Sequence, residues 1–233
     1  MSDSKGLHDG HRDRVRKRFI NDGLEKFYDH QIVELLLFYG IPRKDTNDIA
    51  HKLLNRFGSF SAMFDAPLES LQECGISYNT AVLLKLIPAI CSRYYQDKYQ
   101  QKVKHSDDDT ENIEEFIKPY FIGQNEEQVL LLLLDAKGNH LFCDIVNKGT
   151  TSSSNVNIKK ILQLSVQHKA TGVIIAHNHP SGFNMPSEDD IKMTKKLAKS
   201  LRTVGVLLLD HYIIADMKCR SLASMDEYWE IFV

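Results

Sequence analysis

Two histidines and a downstream aspartate have the residue types and spacing to bind a metal ion. His177 and His179 stand two residues apart at the end of the apolar run TGVIIAHNH. Successive side chains on a strand point to opposite faces, so both imidazoles would project the same way. After a Pro-Ser-Gly turn, Asp190 would supply a third ligand from the start of a helix. Two histidines and one carboxylate leave a fourth tetrahedral position for water, which is typical of a catalytic zinc site.

The same stretch also has a purely structural interpretation. Ser187 followed three residues later by Asp190 fits a capping box in which aspartate replaces the usual glutamate. Acidic residues are favourable at a helix start, and histidines at a strand end can be ordinary hydrogen-bonding residues. Either half of the pattern can arise by chance, but strand, H-x-H, turn, S-x-x-D and helix together are much rarer. The joint pattern therefore favours a Zn²⁺ site at His177, His179 and Asp190.

Composition excludes several classes of protein. Of 233 residues, 42% are hydrophobic and 26% are charged, and the formal net charge of −2 gives no global attraction to nucleic acid. The sequence contains no H-E-x-x-H and no P-C-x-x-C, the signatures of zincins and zinc deaminases. Its first residues lack a signal-peptide apolar segment, and its longest apolar run, Val129 to Leu134, is too short to cross a bilayer. Four cysteines without a C-x-x-C pair favour free thiols, so we expect a cytoplasmic protein.

The order of segments predicts two domains. Residues 1–95 carry helical periodicity, and residues 96–111 are charged and poor in apolar side chains, which predicts a polar linker. Residues 112–233 alternate apolar strands with amphipathic helices. The unbroken leucines from Leu130 to Leu134 predict a strand that is covered on both faces. We therefore expect a three-layer α/β domain preceded by a small all-helical domain.

These motifs resemble those of a known family. H-x-H, seven residues and S-x-x-D is the pattern of the JAMM (MPN+) metalloproteins, and HNHPSG resembles the bacterial RadC proteins. GHRDRVRKRF, ELLLFYGIPRKDT and LLNRFGSF are similar to the RadC N-terminal region, and LLDHYIIAD is similar to its final strand. The resemblance covers most of the chain. It implies a JAMM/MPN-type, cytidine-deaminase-like C-terminal domain that hydrolyses a peptide or isopeptide bond.

The resemblance also implies two catalytic residues. JAMM proteins carry a glutamate at the start of the first strand of the domain, and EQVLLLLLD places Glu127 there, with Val129 where RadC-like chains have phenylalanine. Glu127 would accept a proton from the attacking water, and Ser187 would hydrogen-bond the tetrahedral oxyanion. Asp144, in the second predicted strand, is the alternative base. A solvated Glu126–Glu127 pair at the strand start is the competing structural interpretation.

Features of the N-terminal region support a different function as the alternative. LQECGISYNTAVLLKLIPAI resembles a helix-hairpin-helix, which binds phosphate at a helix start, although Ser77 replaces the second glycine of the turn. The basic stretch Arg12 to Arg18 could contact phosphates, or it could form a solvated face. A structural hairpin is at least equally consistent with the pattern. In the alternative, the protein is a DNA-associated nuclease or a non-catalytic DNA-repair module, the association that RadC resemblance carries.

Asp210 and His211 form a further polar pair after the buried apolar run VLLL. A local hydrogen-bonded pair at a strand end is the simpler interpretation. The other is a contact behind the metal ligands, where polar side chains orient metal-binding imidazoles. The sequence leaves both open.

Overall fold

The structure is a computed structural model that describes residues 10–103, 113–149 and 156–233. The chain divides into two compact units, Met1–Ile90 and Cys91–Val233. The first unit is helical, which confirms the predicted helical N-terminal region. Its helices are α1 (His11–Asp22), α2 (Asp29–Gly40), α3 (Asn47–Phe57), α4 (Phe60–Asp65), α5 (Leu68–Gln72) and the first half of α6 (Tyr78–Val103).

Local signals define where helices of the first unit begin and end. Gly58 ends α3 with a φ of +79°, a left-handed conformation that glycine adopts without strain. Ser59 then begins α4, because its side chain accepts a hydrogen bond from the backbone N–H of Ala62. The apolar faces of these helices meet in a core that includes Val33, Leu37, Leu53, Met63, Leu71 and Leu84.

Helix α6 extends into the segment that composition marks as a linker. Of the expected linker, residues 96–111, the part up to Val103 is helical, and residues 104–112 lie outside the described residues. Straight-chain polar residues have good helix propensity, and Tyr99 anchors the segment by donating a 3.1 Å hydrogen bond to Glu115. The two units divide after Ile90, within the helix, whereas the sequence predicts that the helical region ends at residue 95. No helix in the described part of the chain combines the length and apolar character needed to cross a membrane.

The second unit is built on one five-stranded sheet. Its strands are β1 (Gln128–Leu134), β2 (His140–Lys148), β3 (Gly172–Asn178), β4 (Leu207–Ala215) and β5 (Lys218–Ser221), in the order β2-β1-β3-β4-β5. β1 is antiparallel to β2 and β3, β3 is parallel to β4, and β4 is antiparallel to β5. Its helices are α7 (Ile113–Ile117), α8 (Ile158–Gln167) and α9 (Glu188–Arg202), with 3₁₀ turns at Lys118–Phe121 and Trp229–Ile231. The parallel β3–β4 pair requires a crossover, which α9 provides.

Both faces of this sheet are covered, which explains why β1 and β3 show no polar alternation. One face packs against α8 and α9 through residues that include Leu131, Leu133, Val173, Ile175, Ile161 and Leu197. The other face packs against α7 and the following turn through residues that include Leu130, Leu132, Ile174, Ala176, Phe116 and Phe121. The predicted α/β architecture, with helices on both sides of the sheet, is confirmed.

Leu131 lies in the middle of β1 with no exposed surface. We expect Leu131→Ala to lower the free energy of unfolding by about 2–5 kcal/mol, because it removes buried methyl groups and leaves a cavity. Leu207 on β4 is 50% exposed, so Leu207→Ala is a matched control that should cost about 1 kcal/mol or less. Urea unfolding measures both, and equal losses would contradict the burial of β1 on both faces.

Candidate metal centre

Strand β3 and helix α9 bring the three predicted ligands together. His177 is on β3, and His179 follows the strand, with its backbone N–H donating to the carbonyl of Ile214 on β4 at 2.8 Å. The Nε2 atoms of the two histidines lie 2.8 Å apart. In the first turn of α9, Asp190 places Oδ1 3.2 Å from His177 Nε2 and Oδ2 3.5 Å from His179 Nε2. Among the described residues, this is the one group of three histidine, cysteine, aspartate or glutamate side chains whose ligand atoms all lie within 4.8 Å of one another.

The helix cap and the ligand cluster share the same carboxylate. Asp190 Oδ2 accepts hydrogen bonds from Ser187 N at 2.7 Å and Ser187 Oγ at 2.6 Å, and Ser187 Oγ accepts from Asp190 N. The predicted capping box is therefore present, and it aims the carboxylate at the histidines. Asp190 is only 2% exposed. Burial alone would raise its pKa, but the neighbouring His177 and His179 rings and the Ser187 hydroxyl favour the charged carboxylate more strongly and hold the pKa well below its usual range.

The donor set fits a divalent cation. His179 Nδ1 lies 2.7 Å from the carbonyl oxygen of Phe183, and a carbonyl only accepts, so this nitrogen carries a proton. The Nε2 lone pair is then free to face the cluster. A second proton on Nε2 would be hydrogen-bonded to Asp190, which raises the pKa of His179, and the carbonyl of Phe183 and the charge of Glu127 act in the same direction. A site that attracts an additional proton in this way also attracts a metal ion, and nitrogen and carboxylate ligands suit zinc.

The polypeptide leading into β1 places Glu127 beside the cluster. Val129 pairs with His177 across the antiparallel β1–β3 ladder. Extending that register by two residues sets Glu127 alongside His179 on the same face, because side chains alternate. Its charge contributes to the raised pKa of His179, after the larger contribution of Asp190. Glu127 is half-buried, whereas its neighbour Glu126 is exposed.

Asn178, between the two histidines, holds the backbone around Glu127. Its Oδ1 accepts from the backbone N–H of Gln128 at 2.8 Å, and its Nδ2 donates to the carbonyl of Glu126 at 3.0 Å. Asn178 is 5% exposed and points to the face opposite the histidines. In the sequence, only its position inside H-N-H distinguishes this asparagine from others.

Asp144, the alternative base, lies further from the ligands. It is exposed on the edge strand β2, where it pairs with Leu131 of β1. Its Oδ1 accepts a hydrogen bond from the backbone N–H of Ile145 at 2.7 Å. The position of Glu127 is therefore the better one for a base that acts at the cluster.

Two buried residues lie behind the ligands. His177 Nδ1 is 2.7 Å from His211 Nε2, and His211 Nδ1 is 2.7 Å from Thr194 Oγ1. Burial is the largest cause that lowers the pKa of His211 well below its usual value. Asp210 instead bonds locally, accepting from Ser221 Oγ at 2.6 Å. Each of the two interpretations of the Asp210–His211 pair therefore holds for one residue. His211 contacts a candidate ligand from behind, and Asp210 forms local hydrogen bonds.

Comparison with known proteins identifies the family. A family model described as RadC-like JAB domain matches residues 108–228. The UPF0758 protein FN0909 of Fusobacterium nucleatum is 36% identical over 212 residues, which cover 88% of this chain and 91% of that relative. The chain belongs to the RadC-like family. This confirms the predicted resemblance, and the matched RadC-like JAB domain contains all three candidate ligands as well as Glu127 and Ser187.

Outside the RadC-like domain, the arginines of the predicted phosphate-binding stretch interact with other residues of the chain. Arg16 pairs with Asp13 at 2.9 Å. Arg18 donates to the carbonyl of Lys26 and to Gln31. The guanidinium of Arg12 donates to three backbone carbonyls, those of Phe38, Ile41 and Lys44. These contacts favour a structural role for the basic stretch, and association with DNA stays a prediction.

The helical hairpin and a cavity in the first unit also favour a structural role over phosphate binding. Ser77 Oγ accepts from the backbone N–H of Thr80 at 3.2 Å, so the start of α6 is capped by the chain itself where a phosphate would bind. A cavity of about 530 Å³ in the first unit is lined by residues that include Arg12, Arg16 and Glu34. Glu34 is 3% exposed and bonded to His11 at 3.1 Å, and its carboxylate opposes an anion there. We place the chemistry at the ligand cluster, not at this cavity.

The ligand geometry predicts binding of about one Zn²⁺ or Co²⁺ per chain, the stoichiometry of a three-residue site. His179→Ala and Asp190→Ala should each abolish stoichiometric binding, because each removes one of three ligand atoms. His51→Ala is the matched control, since His51 is exposed and lies in the other unit. Elemental analysis after dialysis and the visible spectrum of the Co²⁺ form measure binding. Equal metal content in wild type and His179→Ala would contradict the assignment.

Proposed function

We propose that this chain is a zinc-dependent hydrolase whose substrate is a peptide or isopeptide bond. The proposal rests on one observation: two imidazole nitrogens and a carboxylate converge beside a half-buried glutamate. Membership of the RadC-like JAB family supports it. Zn²⁺ would be held by His177, His179 and Asp190.

The position of Glu127 suits a base that serves the reacting water. A zinc ion in this site would lower the pKa of a water and polarise the carbonyl under attack. Glu127 would accept the water proton and pass it to the leaving nitrogen, which departs as a neutral amine. Asn178 would support this role by fixing the backbone on both sides of Glu127.

Ser187 would stabilise the negative oxygen that forms when the carbonyl is attacked. Its side chain is exposed at the start of α9, where helix amides also favour negative charge. The hydroxyl donates to Asp190 Oδ2, but that oxygen also accepts from Ser187 N. The hydroxyl can therefore turn toward substrate without leaving Asp190 Oδ2 unpaired.

Glu127→Gln should lower the hydrolysis rate by about 10²–10⁴-fold while metal content is unchanged, because glutamine keeps the shape but accepts no proton. Glu126→Gln is the matched control on the adjacent, exposed residue, and it should leave the rate unchanged. Metal content and rate are measured on the same preparations.

The substrate panel contains a peptide library, isopeptide-linked peptides, and labelled single- and double-stranded DNA. We expect cleavage of peptide or isopeptide bonds and intact DNA. Cleavage of DNA that is lost in Glu127→Gln would assign a nuclease instead. Full activity of Glu127→Gln on any substrate would contradict the role of Glu127.

Ser187→Ala should have two separable effects. Loss of the cap should lower the free energy of unfolding by about 1 kcal/mol, and loss of the oxyanion donor should lower kcat by about 10²–10³-fold. Ser59→Ala removes a comparable cap from α4 and should reproduce only the loss of stability. Chemical unfolding and steady-state kinetics measure the two effects. A rate loss no larger in Ser187→Ala than in Ser59→Ala would leave Ser187 with a structural role alone.

A further inference from the structure

We propose that Thr194 and His211 are positioning residues that fix the tautomer of His177, so that its Nε2 presents a lone pair to the cluster before any ion binds. The hydrogen-bond chain runs from the backbone of one candidate ligand, Asp190, to the ring of another, His177. The expected effect on metal binding rests on the proposed function. The proton positions themselves do not depend on that function.

The first hydrogen bond, between Thr194 and Asp190, determines which atom donates in each of the bonds that follow. Thr194 Oγ1 lies 2.6 Å from the backbone carbonyl oxygen of Asp190, one turn earlier in α9. Two oxygens at this distance need a proton between them, and a carbonyl has none to give. The Thr194 hydroxyl therefore donates its only proton to this carbonyl, and its oxygen is left to accept.

The next bond fixes His211. Its Nδ1 lies 2.7 Å from Thr194 Oγ1, and because that oxygen can only accept here, the ring proton of His211 is on Nδ1. His211 and Thr194 have no exposed surface, so water does not compete for these hydrogen-bonding atoms. A neutral ring with its proton on Nδ1 has a lone pair on Nε2.

The last bond fixes His177. Its Nδ1 is 2.7 Å from His211 Nε2, and because that nitrogen carries a lone pair, His177 Nδ1 must be the donor. His177 Nε2 is then free to act as a ligand, and it is this atom that faces His179 and Asp190. The opposite polarity would leave Thr194 Oγ1 and the Asp190 carbonyl 2.6 Å apart without a proton between them.

The position of the proton on the His177 ring can be measured by NMR in the metal-free protein. Long-range ¹⁵N–¹H NMR correlations distinguish the two neutral tautomers of each ring. At alkaline pH, where imidazoles are neutral, we expect wild type to show protonated Nδ1 and bare Nε2 for His177 and for His211. A His177 ring with its proton on Nε2 in that spectrum would overturn the inference, whether or not the protein binds zinc.

Thr194→Val tests the source of the polarity. Valine matches threonine in shape but removes the hydroxyl, so His211 Nδ1 loses its acceptor and the proton can move to Nε2. His177 would then carry its own proton on Nε2, where the metal must bind. We expect the His177 tautomers to mix and the affinity for Zn²⁺ to fall by about 10–100-fold, the size of effect typical of residues that hold metal ligands.

Thr194→Ser is the matched control, because serine restores the hydroxyl at the same position. It should keep the wild-type tautomer pattern and a Zn²⁺ affinity within about threefold of wild type by chelator competition. Wild-type tautomers and affinity in Thr194→Val would overturn the inference. If wild type shows the expected tautomers but binds no zinc, the proposed function fails and the inference stands. If Thr194→Val does not fold, the wild-type spectrum still decides.

Discussion

The side-chain amide of Asn178 fixes the chain that leads into β1, and the relation between the two halves of the candidate site depends on it. Five consecutive leucines occupy β1, and they carry little information about register, because a slide by one place leaves a leucine at most positions. Asn178 supplies the reference that they lack. Its amide accepts from Gln128 N and donates to the carbonyl of Glu126, and leaving such a buried amide unpaired costs about 1–3 kcal/mol. Glu127 lies between these two anchors, so the register that satisfies Asn178 also sets Glu127 beside the histidines, where its charge acts on His179.

Stability does not account for the polar side chains gathered on the histidine-bearing face of β3, opposite Asn178. Replacing a buried ion pair by apolar residues is often neutral or stabilising, and apolar side chains fill the rest of this face. Yet His177, Asp190, Thr194 and His211 are all nearly or fully buried and joined in one network. When each ring carries its proton on Nδ1, the two Nε2 atoms, 2.8 Å apart, need a cation or an additional proton between them or beside them. A capacity to bind a cation would account for the cluster, whereas packing alone does not.

The parts of the site that could be predicted from sequence are those defined by local geometry. The alternation of a strand relates His177 to His179, and the cap of a helix relates Ser187 to Asp190, so spacing alone carries the information. Glu127 is fifty residues from His177 in sequence, and only the family resemblance identified it. His211 reaches His177 through the parallel β3–β4 pairing, whose register shifts between Val173 and Ile174, and no residue pattern specifies such a shift.

The same distinction explains the remaining differences in the fold. Buried strands and capped helices follow from apolar runs and cap residues, which the sequence shows directly. The segment from Gln96 to Val103 is polar, and composition does not distinguish a solvated helix from a linker. What distinguishes them is a tertiary contact, the one between Tyr99 and the core of the second unit. Thr194 is similar: the sequence shows only a threonine in a helix, and the contact that gives it a role, the one with His211, comes from β4.

The position of Asp190 at the start of α9 is electrostatically unusual for a metal ligand, because the positive end of a helix repels a cation. Three acidic residues in the first turn offset that repulsion, and two of them, Glu188 and Asp189, are themselves paired with Lys192. The two oxygens of Asp190 have different partners. Oδ2 accepts a hydrogen bond from Ser187 N in the helix cap, and Oδ1 lies 3.2 Å from His177 Nε2. In the proposed hydrolase, the helix end would become an advantage once negative charge develops on a substrate oxygen, because a helix N-terminus and the Ser187 hydroxyl both favour such charge. A site that only stored a metal ion would gain nothing from this placement, whereas one that stabilises an oxyanion beside the ion would gain from both.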